Sequence, residues 1–467
     1  MRIPLSTLCL LAIAFAPAAG QDAADASRGA GALPAWPDWL AQCGPQPEGD
    51  PHAVLAAISG PVFYVSPDGD DDGPGSREHP WRTVGRAAAA ARAGDTVLIG
   101  EGTYNERVVV ANSGEPGRPI TFRNYPGHHP VIDATDTGRG WGIVELRNRS
   151  HVRLIGLEVR NGRRGQCGFL TFECSDLEIR NCRSDNTGNS GIMVWQGSNI
   201  LVDHNEVVRA CNGGEESITV KFDSRDVQVS WNHVHHTGHE GVDVKEGSQR
   251  VRVFNNYFHH VQRQGIYADA WDRETGNIEF LRNVVHDCGF GIAVCSEKEG
   301  LLRDVLIAGN LVYDCDGPGM VFSHWNREGA GPVRNVRFVN NTVHNCGHGW
   351  GGGVTFENWE AEEIIVRNNV LSENSKQIVA TRLPASGELD HNLLFGPTDE
   401  AGHDNLTGDP LFAAPGDGDF RLRPGSPAIG AGVPVAEPGD AAPADISGRA
   451  PPPGGPWTIG ATQQTPN

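Results

Sequence analysis

An all-β solenoid is the fold class this sequence predicts, and three observations carry it. First, one pattern recurs at a fixed interval: ESITVKFD from residue 216, EGVDVKEG from 240 and QGIYADAW from 264, 24 residues apart each time. Such a period marks coils stacked along one axis. Second, apolar residues alternate within each copy: Ile218, Val220 and Phe222, then Val242 and Val244, then Ile266 and Ala268. That is the period of a half-buried strand with the intervening side chains facing outward. Third, asparagines end short apolar runs ten times, at Asn161, Asn181, Asn205, Asn232, Asn256, Asn283, Asn310, Asn341, Asn369 and Asn392, with 20 to 31 residues between them. Each coil therefore carries at least two strands. Asn suits the recurring turn because it tolerates the left-handed region and hydrogen-bonds its own backbone.

Taken in order, residues 1–20 begin with Arg2, run through the apolar stretch Leu8 to Phe15 and end in small residues around Ala18 and Gly20. This reads as a cleaved secretory leader, hence a secreted or periplasmic protein. Cys9 follows Leu8 rather than a small residue, which disfavours a lipid anchor. No later stretch has the length of a membrane span. Residues 21–60, rich in Ala, Pro and Gly around Trp36 and Trp39, read as an arm or linker. The solenoid is expected over 61–395, with 396–467 as a closing segment and tail. A length prior of about 150 residues per domain suggests roughly three domains, but solenoids grow without dividing. A monomer is expected.

Two elements at the start of the solenoid need their own reading. Asp68, Asp70, Asp72 and Gly73 match the opening of an EF-hand loop, yet the twelfth position is His79 and no helix precedes it, so a surface turn is favoured. PWRTVGRAAAAARAGD (80–95) has strong helix propensity, with Gly94 placed to end the helix. A short helix over the open end is a cap such folds require.

The segments YVSPDG, HPWRTVGRAAAAARAGDTVLIGEGTYNERV and GRPITFRNYPGHHPVID resemble the cap and first coils of secreted right-handed parallel β-helix proteins, a group that includes family 9 pectate lyases and several glycoside hydrolases. GDPLFAAPGDGDFRLRPGSPAIGAG (408–432) with DISG and WTIGA looks like the C-terminal segment many bacterial members share. The resemblance implies a right-handed parallel β-helix with an N-terminal capping helix. It fixes no chemistry, since these end segments occur with lyases, hydrolases and proteins of unknown activity.

The formal charge of −20 disfavours a nucleic-acid partner, which needs a basic surface. A polysaccharide, even an acidic one, remains open through a local basic patch or a bridging cation. Only four lysines exist, Lys221, Lys245, Lys298 and Lys376, and two of them share one column of the repeat. Nine cysteines follow the leader, so complete pairing is precluded. Cys288, Cys315 and Cys346 each fall five residues after a coil asparagine and read as a buried ladder of reduced thiols. His235, His259, His286 and His344, with Tyr313, fall three residues after one and read as a stacked ladder rather than a metal site.

The candidate site is the outward face of the repeat: Thr219, Lys221, Asp243, Lys245, Tyr267 and Asp269. Stacked coils lie about 4.8 Å apart, which makes Lys221 and Lys245 neighbours. Their mutual repulsion lowers a lysine pKa, while Asp269 on the next coil opposes it. A polysaccharide lyase removes the proton beside a uronate carboxylate, so it needs a base and a charge to neutralise that carboxylate. Lys245 is the expected base, Lys221 its modulator, and His239 a possible acid or base. Glu216 and Glu240 each lie five residues before a lysine. This is similar to β-helix alginate lyases and chondroitinase B, where calcium-binding glutamates precede a lysine base. The similarity implies a Ca2+ site, for which Glu215, Glu216, Glu240 and Asp243 are the candidate ligands. Those enzymes place an arginine on the following coil, where this chain has Asp269 with Arg263 and Arg273 nearby. Two other readings stay open: an inverting glycoside hydrolase using Asp243 and Asp269, and a non-catalytic carbohydrate-binding or surface β-helix. Trp195, Tyr267 and Trp271 are candidate sugar platforms, as are Trp325 and Trp359 on the border of the face. Arg263, Arg273 and Glu357 complete the expected groove.

Overall fold

A computed structural model describes residue 55 and residues 57–464, except 326–330, 359, 381–382, 385, 401, 436–443 and 453. The leader, most of the arm with Trp36 and Trp39, and Trp359 lie outside the described residues. The solenoid expected from the repeat is observed, as the parallel β-helix that the resemblance implied. Three parallel sheets of 13, 11 and 13 strands run the length of the coil, each strand pairing with its equivalent one coil away. The lone exception among the described strands is the antiparallel hairpin Phe412–Ala414 with Asp419–Leu422. Inward side chains of all three sheets form one continuous core, in which Phe169, Phe258, Phe280, Phe322 and Phe338 are fully buried.

The capping helix covers Val84–Ala90 and buries Val84, Ala87 and Ala88. Thr83 caps its start by accepting from the Arg86 N–H, and the Glu106 carboxylate accepts from the N–H groups of Val84 and Gly85, both at 2.8 Å. The helix ends at Ala91, three residues earlier than the glycine signal implied. Gly94, at φ 90°, instead turns the chain into the next strand. The aspartate-rich turn is closed by its own groups: Asp71 Oδ1 accepts from the N–H of Arg82 and Thr83, and Asp70 Oδ1 from that of Asp72.

Asparagine does a different job from the one its turn preference suggested. From Asn205 to Asn392 the ladder asparagines are buried, and the left-handed residue is the one before each: His204, Trp231, Asn255, Arg282, Gly309, Asn340, Asn368 and His391, with φ between 51° and 68°. That twist points the next side chain inward. From Asn232 on, each amide oxygen accepts from the backbone N–H and the side-chain amide of the ladder residue one coil earlier, as Asn283 Oδ1 does from Asn256 at 3.0 Å in both cases, while Asn205 Oδ1 accepts from the Cys182 N–H alone. Each amide nitrogen donates to a carbonyl, as Asn283 Nδ2 does to Val253 O at 2.9 Å. Asn161 and Asn181 do not join the ladder: they are themselves left-handed, and Cys182 takes the inward place after Asn181.

The thiol and imidazole columns fall as expected. Cys288, Cys315 and Cys346 are buried and unpaired by disulfides, and each Sγ donates to the carbonyl two residues earlier. Mass spectrometry of the unreduced protein is therefore expected to find all three alkylated after denaturation. A Cys288–Cys315 or Cys315–Cys346 bridge would contradict this. His235, His259, His286, Tyr313 and His344 are successive cross-strand partners. His233 joins His235 and His259 in a cluster dense enough to hold a metal. The rings nonetheless stack, with centroids 4.0 to 5.1 Å apart and planes within 29° of parallel. Imidazole lone pairs lie in the ring plane, so stacked rings direct them side by side instead of toward one ion.

Beyond the last coils the chain returns along the outer side of the third sheet. Phe412, Phe420, Leu422, Ala428, Ile446 and Ile459 bury Tyr257, Val284, Leu311, Tyr313, Val370 and Leu393. Asn340 Nδ2 donates to Thr458 O, and Asn368 Nδ2 to Val433 O, which fixes the tail to the coil. The third sheet's outer face is thereby covered over these coils, while the outward residues of the 24-residue repeat lie on the second sheet.

Candidate active site

The site is built on the second sheet. Strands Ile192–Trp195, Ile218–Lys221, Val242–Lys245, Gln264–Asp269 and Phe290–Cys295 pair in a register that aligns Met193, Thr219, Asp243, Tyr267 and Ala293. Two positions on, Trp195 pairs with Lys221 and Lys245 with Asp269. Alternate residues, including Ile218, Val220, Val242 and Val244, enter the core and so hold the polar set on the outer face.

That face is not solvated, which corrects the expectation of an exposed charge column. Lys221, Asp243, Tyr267 and Asp269 are only 4%, 2%, 4% and 3% exposed, and Glu216 and Glu240 are buried as well. The cause is ion pairing under loop residues. Lys245 Nζ lies 2.6 Å from Glu216 Oε1, 3.5 Å from Asp243 Oδ2 and 3.8 Å from Glu215 Oε2. Lys221 Nζ lies 2.8 Å from Glu215 Oε2 and 4.6 Å above the Trp195 ring. The two lysines thus share Glu215. Thr219 Oγ1 donates to Glu216 Oε2 at 3.0 Å. Arg263 Nε pairs with Glu240 Oε1 at 3.2 Å, and His239 Nδ1 lies 3.8 Å from Glu240 Oε2.

Protonation follows from this packing. Burial alone would lower Lys245, but Glu216, Asp243 and Glu215 hold its ammonium well above the ordinary lysine range. The expected repulsion by Lys221 is therefore outweighed. Burial also favours neutral Glu216, yet Lys245 keeps this carboxyl below its usual value. Glu240 has no such partner on its second oxygen. Burial, aided by Glu216, pushes it up to about 7. Burial and Glu297 push Asp269 up to about 7, although its Oδ1 accepts from the N–H of Trp271 and Glu297. Asp243 is raised well above the carboxylate range by burial, with Glu216, Asp269 and Glu240 adding to it. His239 is lowered by burial and by Arg263.

Two aromatic expectations separate. Tyr267 is covered by Ala293, Cys295 and Val321, and its hydroxyl donates to Glu297 Oε1 at 2.6 Å, so its ring offers no platform. Trp195 stands on the groove in an aromatic stack with Trp141 and Phe222, at 5.9 and 4.9 Å. Trp271 is partly exposed, with Lys298 Nζ 5.5 Å above its ring. Arg273 is engaged by Asp223 and Asp272 and lies over the Phe222 ring, which it shares with Lys221. Trp325 packs against the Tyr267 cluster. Glu357 accepts from Ser323 Oγ at 3.3 Å, several coils beyond the lysines. Sequence reasoning missed Glu297 and Trp141. Glu297 follows Cys295, the partner of Asp269, by two residues, so counting the coils past Asp269 would have found it. Trp141 immediately precedes a second-sheet strand, Gly142–Arg147.

Among the described residues only His233, His235 and His259 bring three ligand atoms close together, and the acidic set offers a divalent cation separate oxygens instead. Glu240 Oε2, Asp243 Oδ1 and Gln264 Oε1 are buried oxygens with no hydrogen-bond partner, on consecutive coils beside Glu216. Unpartnered buried carboxylate oxygens are expensive unless an ion or proton meets them, and oxygen-only ligands are what Ca2+ takes.

Residues 63–214 match the family described as Pel9A-like, right handed beta helix region, and residues 272–385 match a right handed beta helix region. YwoF, an uncharacterized protein of Bacillus subtilis (strain 168), is 24% identical over 436 residues, covering 79% of this chain and 92% of that protein. Pectate lyase PEL9 of Emericella nidulans is 28% identical over 124 residues, which cover 24% of this chain and 30% of that enzyme. Among solved structures, pectate lyase Pel9A superposes with a TM-score of 0.55 at 18% identity over 88% of this chain and 98% of its own. XylC in complex with xylose gives 0.59 at 10% identity over 87% and 99%. At these identities the likeness to solved structures is one of fold.

Proposed function

We infer, for a chain that belongs to the pectate-lyase-like superfamily of right-handed β-helices, that the face of the second sheet is a polysaccharide site and that it cleaves a uronate-containing chain by β-elimination. The observation that carries this reading is Lys245, whose Nζ sits among Glu215, Glu216 and Asp243 at the least covered point of the lysine pair. In the reaction, Lys245 takes the proton beside the uronate carboxylate, the electron pair of that C–H bond forms a double bond in the uronate ring, and the neighbouring sugar's oxygen leaves with its bonding pair and takes a proton from water to become a hydroxyl, the lysine later returning its own proton to solvent. Arg263, half exposed and set on Glu240, and Lys221 supply positive charge for an anionic chain.

Glu216, Glu240 and Asp243 are the residues that would hold Ca2+, with Glu215 at the rim. Bound there, the ion supplies charge that acidifies the proton next to the uronate carboxylate. Two of these, Glu216 and Asp243, also help keep Lys245 protonated, so their neutralisation would favour the free amine that a base requires. A chelator is accordingly expected to lower activity by about two orders of magnitude, on the scale of losing a charge stabiliser, and Ca2+ to raise the melting temperature. Unchanged activity and unchanged melting would leave Lys221, Lys245 and Arg263 to act without a metal.

A second reading rests on Asp243 and Asp269, carboxyls on adjacent coils that burial raises, Asp243 well above its ordinary value and Asp269 up to about 7. A proton-bearing acid opposite a carboxylate base is the inverting hydrolase arrangement. The two readings separate on a panel of uronate and neutral polysaccharides. New reducing ends accompanied by the ultraviolet absorbance of an unsaturated uronate support elimination, while reducing ends alone support hydrolysis. Neither signal leaves a binding protein. No helix among the described residues is long and apolar enough to cross a membrane. The leader read in residues 1–20 puts the proposed action outside the cytoplasm.

A further inference from the structure

Glu215 stands apart from the other carboxylates of the charged cluster. Its side chain is 32% exposed, whereas those of the lysines it touches, Lys221 and Lys245, are 5% and 14% exposed. Its Oε2 lies 2.8 Å from Lys221 Nζ and 3.8 Å from Lys245 Nζ, so one carboxylate covers the lysine pair from the side nearest solvent. Lys245 keeps Glu216 and Asp243 without it. For Lys221, Glu215 is the one carboxylate within ion-pair distance among the described residues. The stretch that carries Glu215 is tied at its two ends: the Asn212 N–H donates to Thr187 O at 3.2 Å, and the Ser217 N–H to Glu240 O at 2.8 Å. Between them, among the described residues, the N–H groups of Gly213, Gly214 and Glu215 donate to no backbone carbonyl. Gly214 has φ 136°, and a Cβ added there would touch nothing, so glycine is needed for its dihedral angle and not for room. It is a pivot with open space around it.

We propose that Glu215 is a built-in stand-in for the substrate's carboxylate: in the free protein it occupies the lysine pair, and a uronate displaces it by turning it outward about Gly214, so that only an anionic sugar opens the site. The proposal rests on reading this face as the site of a uronate chain. A uronate carboxylate brings the same group that Glu215 withdraws, so one ion pair replaces another while the withdrawn carboxylate regains water. A neutral sugar has nothing to exchange. Moving Glu215 aside for it would leave Lys221, 4% exposed, with no counter-ion beyond the Trp195 ring 4.6 Å away, and an unpaired buried charge is strongly unfavourable. Glu215 thereby discriminates by a penalty against the wrong ligand, in addition to the attraction of the lysines for the right one. The same device weakens binding of the right one. A carboxylate tethered on a short flexible segment competes at an effective concentration of roughly millimolar or above, so its removal should tighten the hold on a uronate.

The test titrates methyl D-galacturonide and methyl D-glucuronide, each beside its neutral parent glycoside, into the full-length protein with a chelator present. Binding is followed by calorimetry and by the 15N signal of Lys221, one of only four lysines in the chain. Glu215→Gln removes the competing charge and should bind at least one uronide about tenfold or more tighter than the wild type, with the Lys221 signal already displaced before ligand is added. Glu215→Asp keeps the negative charge but shortens its reach by one methylene, so it should also tighten binding, by about threefold. This second variant separates the contact from the general field of a charge, and it keeps an anion near Lys221 should Glu215→Gln not fold. Uronide binding that is equal or weaker in Glu215→Gln, wild-type affinity in Glu215→Asp, a neutral glycoside bound as tightly as its uronide, or no saturable response in any variant would each overturn the proposal. Elimination on a uronate polymer is a separate readout. Tightened uronide binding without elimination would sink the lyase reading alone, and elimination with untightened binding would sink the role of Glu215 alone.

Discussion

Replacing Lys245 by alanine is expected to lower turnover on a uronate polysaccharide by about 10² to 10⁴, the usual scale for losing a general base, and to lower stability as well. An open charge column would make the same substitution nearly neutral for stability. The structure overturns that expectation, because Glu216 is buried and has its shortest contact, 2.6 Å, with this ammonium. Breaking one side of a buried pair typically costs about 3 to 5 kcal/mol. The lower end applies here, since Asp243 already sits in a setting that favours its protonated form. Lys245→Arg separates the two roles: it keeps a cation for Glu216 but has no proton to give up near neutral pH. Melting temperature should recover in this variant while turnover stays lost. Lys221→Ala, whose partner Glu215 is partly exposed, should be milder on both counts. Wild-type turnover in Lys245→Arg would remove Lys245 as the base and shift the chemistry to Asp243 and Asp269.

The second large effect concerns the scaffold. Asn283→Ala should destabilise the protein by about 3 to 5 kcal/mol, judged from two buried backbone groups losing their partners at about 1 to 3 kcal/mol each together with two amide contacts. The orphaned groups are the Asn256 N–H and the Val253 carbonyl, and the link to Asn310 Oδ1 is lost with them. Asn181→Ala, one residue outside the ladder and exposed, should lose only its left-handed preference. A chemical-denaturation midpoint for Asn283→Ala close to that of Asn181→Ala would show that the ladder contributes little. Because coils contact mainly their neighbours, the effect should appear in hydrogen exchange of the coils around residues 253 to 310 before it appears at the ends.

Periodicity made the fold legible. The 24-residue repeat and the recurring asparagines reflect one local geometry used again on each coil, and cysteine and histidine columns could be placed by counting from those asparagines. What counting could not supply was the state of the outward side chains. Alternation says that Asp243 and Lys245 leave the core, but whether they meet water depends on loops whose sequences do not repeat. Glu215 illustrates the point: it precedes the strand, and its carboxylate reaches both lysines only because the chain folds back over the sheet. The same gap hid the tightness of the Lys245 pairing, and with it the sign of the lysine's pKa shift. Asn205 and its successors were placed on the correct coils but given the wrong role. The left-handed turn belongs to the preceding residue, and a position-specific signal for that place is spread over His, Trp, Asn, Arg and Gly.

The central claim is that bond cleavage here proceeds by elimination and adds no water. It is tested most directly by digesting a uronate polysaccharide in H2 18O with Ca2+ present and weighing the products by mass spectrometry. The account predicts fragments whose masses, apart from exchange at the reducing-end oxygen, sum to that of the starting chain, every fragment except the one from the original non-reducing end carrying an unsaturated uronate. Fragments that gain one labelled water per cut, with no unsaturated end, would contradict it and assign the chemistry to the Asp243 and Asp269 pair.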